Sequence, residues 1–125
     1  EAWGRGGEGG MIPTLIVGLV KGGAAGWPRL EDDEHWITIG STRPLEGAWR
    51  VSQVEMIAWL IELFGLHSMD AYQLLSQISE VPLANVVDAN YSVVSKARKS
   101  LLPKAEAFDG LHKDLRARAA HLLAG

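Results

Sequence analysis

Apolar positions along the chain fall into short runs of strand character on either side of one long helical stretch. Thr14–Lys21 (TLIVGLVK) follows Pro13 and is closed by Gly22-Gly23; its β-branched residues predict a buried strand. His35–Ile39 (HWITI) alternates up to Gly40 and predicts a second strand. Tyr91–Ala97 carries the β-favouring YSVV and predicts a third. Leu83–Asp88 (LANVVD) suits a helical turn or a strand equally.

Leu45–Phe64 is the strongest local signal, with Pro44 placed for a first helical turn and Glu46 behind it to complement the dipole. At 100° per residue, Glu46, Arg50 and Gln53 share one stripe, and Glu55 and Glu62 share another roughly opposite. Ala48, Trp49, Met56, Trp59, Leu60 and Leu63 fill one arc between them, and Val51, Val54, Ala58 and Ile61 fill the other. Two apolar arcs predict cover from two sides, by a sheet and by another element or subunit. Gly65 ends this helix. Ser68 as N-cap and Asp70 in the first turn predict a second helix over Met69–Ile78, limited by Pro82. Beyond Pro103, the steps Phe108, Leu111, Leu115, Ala119 and Leu122 predict a C-terminal helix with a narrow apolar seam, weakened at Gly110 by about 1 kcal/mol. The fold class predicted is α+β: a small sheet packed against two helices, with a C-terminal helical extension.

Composition narrows the function more than the fold. A chain of 125 residues suits one domain, and 47% hydrophobic against 22% charged residues argues against extensive disorder. The net charge of −3 gives no general reason to expect nucleic-acid binding. No apolar run approaches the roughly 20 residues of a membrane span. With no cysteine, disulfides, thiolate metal sites and cysteine nucleophiles are excluded.

Several motifs carry candidate chemistry. Gly4-Arg5-Gly6-Gly7-Glu8-Gly9 matches G-x-G-x-x-G in form, yet no strand precedes it and none of the required helix follows, which argues against a dinucleotide site. Glu31-Asp32-Asp33-Glu34-His35 offers hard-cation ligands. Five consecutive residues cannot converge on one ion, so the run reads as a solvated loop before a strand. His67 reads as a surface residue complementing a helix end. His112 and His121, nine positions apart, lie on one side of the tail helix but too far apart to share a metal. No G-x-S-x-G elbow occurs. Glu1 and Glu8 flank a glycine-rich stretch, where backbone can approach a small substrate and a carboxylate can act as base or ligand.

Taken together, VGLVKGG, Trp27-Pro28-Arg29-Leu30-Glu31, HWITIG, the helix carrying Ala48, Met56 and Leu60, FGLHSMDAYQLLS and NVVDANYSVV resemble the C-terminal part of the acetamidase/formamidase family. Asp70-Ala71-Tyr72 through Ser76 and Val86-Val87-Asp88 are its most telling segments. The resemblance implies that residues 1–103 are part of such a domain and residues 104–125 a helical tail outside it. It implies hydrolysis of a small amide, formamide or acetamide, to carboxylate and ammonia. The metal it implies is a divalent ion, zinc, bound mainly by upstream residues. It also implies homo-oligomers and a cytoplasmic enzyme, with no nucleic-acid or membrane partner. Glu1 would match the last residue of the family's Gly-Asp-Gly-Glu motif and Glu8 a second acidic position after it; both are candidate catalytic residues. The chain is accordingly expected to be one piece of a larger enzyme, since it begins inside that motif and lacks the upstream ligands. A non-catalytic module of the same fold, used for assembly, is the rival expectation.

Overall fold

The computed structural model describes residues 9–22 and 26–123. Its elements run β1 (Arg29–Glu31), β2 (His35–Thr42), α1 (Leu45–Phe64), α2 (Ser68–Ile78), β3 (Ser79–Glu80), β4 (Leu83–Asn85), β5 (Tyr91–Arg98) and α3 (Leu111–Leu123). The α+β class holds.

All strands pair antiparallel, in the order β1-β2-β5-β3, with β4 also on β5. The long pair sets the register: His35 lies opposite Arg98 and Thr42 opposite Tyr91. With a side-chain period of two, Trp36, Thr38 and Gly40 on β2 and Val93, Ser95 and Ala97 on β5 all point to one buried face. The other face carries Ile37, Ile39 and Val94 half-buried and Leu30 exposed.

α1 lies on the buried face. Its Ala48, Ser52, Met56, Trp59 and Leu60 point inward, and α2 adds Ala71 and Leu75 to the same core. Trp36 packs edge-on against Phe64 at 5.5 Å between ring centroids and lies 6.5 Å from Trp59. Ser52 is tolerated there because its Oγ donates to Trp49 O at 2.8 Å. Its carbonyl in turn accepts from Thr38 Oγ1 at 2.7 Å, tying helix to sheet. Cover from two sides is met in part: sheet and α2 bury Ala48, Met56, Trp59 and Leu60 of the first arc, while Trp49 of that arc and Val54 of the second remain exposed.

Four expectations need correction. Thr14–Lys21 is not a strand, because a strand exists through its pairing and no described strand lies beside it. Pro44 is the N-cap of α1 in an extended conformation, one position ahead of the first turn, and its carbonyl accepts from Gly47 N at 2.9 Å. His67, not Ser68, caps α2: its Nδ1 accepts from Met69 N at 3.3 Å, serving where a Ser or Asp oxygen usually does. The tail helix starts at Leu111, because Phe108, Asp109 and Gly110 turn through positive φ of 50°, 55° and 81°. Phe108 sits in that turn and reaches Trp59, with ring centroids 6.5 Å apart. The ambiguous Leu83–Asp88 resolves into β4 and a bend in which Asn85 Oδ1 accepts from Val87 N at 2.8 Å. Gly65 ends α1 as expected, at φ 64°, a left-handed C-cap.

Candidate functional site

The acidic run joins β1 to β2, and its carboxylates diverge. Glu31 accepts from Lys99 Nζ at 2.7 Å, and the same ammonium donates to Asp32 O at 2.6 Å and lies 5.7 Å from the Trp36 ring centroid. Asp32 turns back on its own loop: Oδ1 accepts from Glu34 N at 2.8 Å, His35 N at 2.6 Å and His35 Nδ1 at 3.2 Å. Partial burial pushes the Asp32 carboxyl up, but those two amide bonds and the imidazole outweigh it and leave the group below its usual range. Asp33 points the other way, accepting from His112 Nε2 at 3.0 Å and Arg116 Nη2 at 2.5 Å. The His112 bond first, and then the Arg116 charge, hold Asp33 below the usual carboxylate range.

These contacts fold the tail back over the loop. Between them lies a cleft of ≈ 650 Å³, with Glu31, Asp33, Trp36 and Lys99 on the domain side and Glu106, His112 and Lys113 on the tail side. Its volume is that of a small-molecule site, about 300–1,000 Å³. Lys113 is paired with Glu106 across the tail wall.

One Asp–imidazole pair, Asp33–His112, lines the cleft, and a second, Asp32–His35, lies within the β1–β2 loop and the start of β2. A carboxylate only accepts, so His35 donates from Nδ1 and His112 from Nε2. That arrangement is the oriented-base half of a hydrolytic constellation. Neither ring meets a hydroxyl among the described residues, and His35 Nε2 is buried with no partner there. The divalent metal that the resemblance implies does not fit these donors. Each carboxylate is committed to its own cation or amide, and no three His, Asp or Glu side chains among the described residues are placed to hold one ion.

Glu1 and Glu8, together with Gly4–Gly7 of the glycine-rich run, lie outside the described residues. His121 remains apart from His112, lining instead a groove with Ile16 and Leu122.

A second charged centre was legible only in half. Arg29 on β1 donates from Nε to Glu55 at 2.6 Å and through both terminal nitrogens to Glu62 at 2.5 and 2.9 Å. Its guanidinium stands 5.4 Å from the Trp59 ring centroid. The signal in the sequence was the Glu55/Glu62 stripe: two carboxylates seven apart between the two apolar arcs of the helix call for a cation. The hydrogen bond from Arg29 outweighs partial burial and holds Glu62 below its usual range.

Comparison with known proteins identifies the class. No family model matches the chain. No curated protein matches it either. Among solved structures, the acetamidase of Yersinia enterocolitica is similar at 44% identity and a TM-score of 0.65, over 68% of this chain and 26% of its own. The acetamidase of Bacillus halodurans shares the fold at 23% identity and a TM-score of 0.56, over 59% of this chain and 25% of its own. The chain belongs to the acetamidase/formamidase family, and it spans about a quarter of the length of these two relatives.

Proposed function

We propose that this chain is part of an amidase that cleaves the carbon–nitrogen bond of a small linear amide, formamide or acetamide. Water adds to the carbonyl, the C–N bond breaks, and the products are the carboxylate and ammonia. The observation that carries the proposal is the 44% identity to the Yersinia acetamidase over 68% of this chain, with a TM-score of 0.65. The ligands of the divalent metal, zinc, belong to residues outside this chain, in the remainder of the enzyme.

Within the chain, Glu8 is the first choice for a carboxylate that carries a proton at the reacting centre, and Glu1 the second. The cleft beside Asp33 and His112 has no such assignment: its imidazole is held by a structural ion pair with Asp33. The working enzyme is proposed to be a cytoplasmic homo-oligomer. The test is ammonia release from formamide and acetamide by the complete enzyme. Turnover supports the amidase. Silence on both amides, in a folded and metal-replete protein, overturns it in favour of the assembly module.

A further inference from the structure

The cleft between the β1–β2 loop and the tail has no part in the reaction proposed above, yet its charges leave room for a ligand. Lys99 holds Glu31 at 2.7 Å, and Lys113 holds Glu106. Asp33 is shared by His112 at 3.0 Å and Arg116 at 2.5 Å. All three lining carboxylates are therefore committed to groups of this chain. Lys104 lines the same cleft, is exposed, and its side chain makes no ion pair or hydrogen bond among the described residues. A free ammonium beside neutralised carboxylates attracts one negative charge and repels a cation.

The uncharged lining points the same way. Pro103, Ala105 and Ala107 offer hydrocarbon and no polar side-chain atom. Trp36 also lines the cleft and is 1% exposed, and its indole N–H is buried with no acceptor among the described residues. Buried donors are normally paired, so this lining suits a ligand that brings an acceptor. A carboxylate is an acceptor with one negative charge.

We propose that this cleft binds a small organic monocarboxylate, its head at Lys104 and its hydrocarbon body along Pro103, Ala105 and Ala107. The site goes beyond the amidase reading and does not depend on it. Formate and acetate, the carboxylates of that reaction, would leave most of a space of ≈ 650 Å³ to water. A body of several carbons fills it better and buries apolar surface on both sides. A dianion would exceed the single free ammonium.

The experiment is calorimetric titration of the complete enzyme at low ionic strength, with hexanoate as the probe. Hexanoate is expected to bind, and acetate, hexanamide and hexylammonium to bind at least about tenfold more weakly. Lys104→Gln is expected to lower hexanoate affinity about fivefold, the upper range for an exposed ion pair, and Lys104→Arg to keep it. The indole proton resonance of Trp36 is expected to move as hexanoate is added. Equal binding of hexanoate and hexanamide overturns the proposal, because the free charge would then select nothing. Unchanged affinity in Lys104→Gln, a Trp36 resonance unmoved at saturation, or displacement of hexanoate by acetamide places the ligand elsewhere and also overturns it. So does an absence of binding at millimolar hexanoate.

Discussion

Gly40 on β2 sits directly beneath Ala48 on α1, and the missing side chain sets how closely helix and sheet approach. A Cβ on Gly40 would collide with the carbonyl oxygen of Ala48 and lie 2.7 Å from Ser52 N, both backbone atoms that cannot swing aside. The Thr38 hydroxyl bond to Ser52 O depends on the same close approach. Gly40→Ala is therefore expected to destabilise the domain by about 3 kcal/mol, the upper range of overpacking costs. Urea unfolding of the purified variant checks it; an unchanged midpoint would show that the approach is not tight.

Arg29 joins β1 to α1 through Glu55 and Glu62. Its side chain is 8% exposed and that of Glu55 12%. Arg29→Met leaves Glu55 half-enclosed without its cation and is expected to cost about 3 kcal/mol. The double variant Arg29→Met, Glu55→Met removes the stranded charge and should recover much of that loss. Equal destabilisation in single and double variants would assign the effect to packing on Trp59 instead.

Asp33 ties the tail to the β1–β2 loop through His112 and Arg116. Its folded pKa lies below the unfolded value, as does that of Asp32, Glu62 and Glu80. Stability from these groups is thus fully present above the unfolded carboxylate values, about 4. It is lost as pH falls through the lowered folded values. The thermal midpoint is expected to drop below pH 4, and Asp33→Asn to weaken that dependence. The same variant should speed amide exchange in α3 while leaving β2 unchanged. Equal exchange in both elements would mean that the tail and domain open together.

Where local chemistry decided the structure, the sequence could be read closely. Leu45–Phe64 is bounded by Pro44 and Gly65, and its limits agree residue for residue. His35 and Tyr91 open the two long strands where alternation begins. Reading failed where contacts distant in sequence decide. Thr14–Val20 has the composition of a strand but lacks a neighbour to pair with. Phe108–Gly110 follow a helical spacing, yet turn left-handed as Phe108 reaches Trp59. The tail's anchor also escaped notice, because Asp33 and His112 are 79 positions apart and neither is unusual alone. For the acid run, spacing correctly argued against one shared ion and could not reveal three separate partners.

Glu8 carries the proposed proton transfer, and Glu8→Gln keeps its shape while removing the base. In the complete enzyme this variant is expected to lower kcat by at least about 100-fold, the lower range for general-base loss, with an unchanged circular dichroism spectrum. Glu1→Gln is expected to have the smaller effect. Ammonia release by Glu8→Gln at the unaltered rate would remove Glu8 from the reaction.

The central claim is that this chain works as one part of a larger amidase, and complementation tests it most directly. Ammonia release from acetamide is measured for the 125-residue chain alone and after co-expression with the part of the enzyme it does not match. The account predicts no release and poor solubility alone, and both activity and solubility together. A monomeric, cooperatively folding 125-residue chain that hydrolyses acetamide unaided would contradict it.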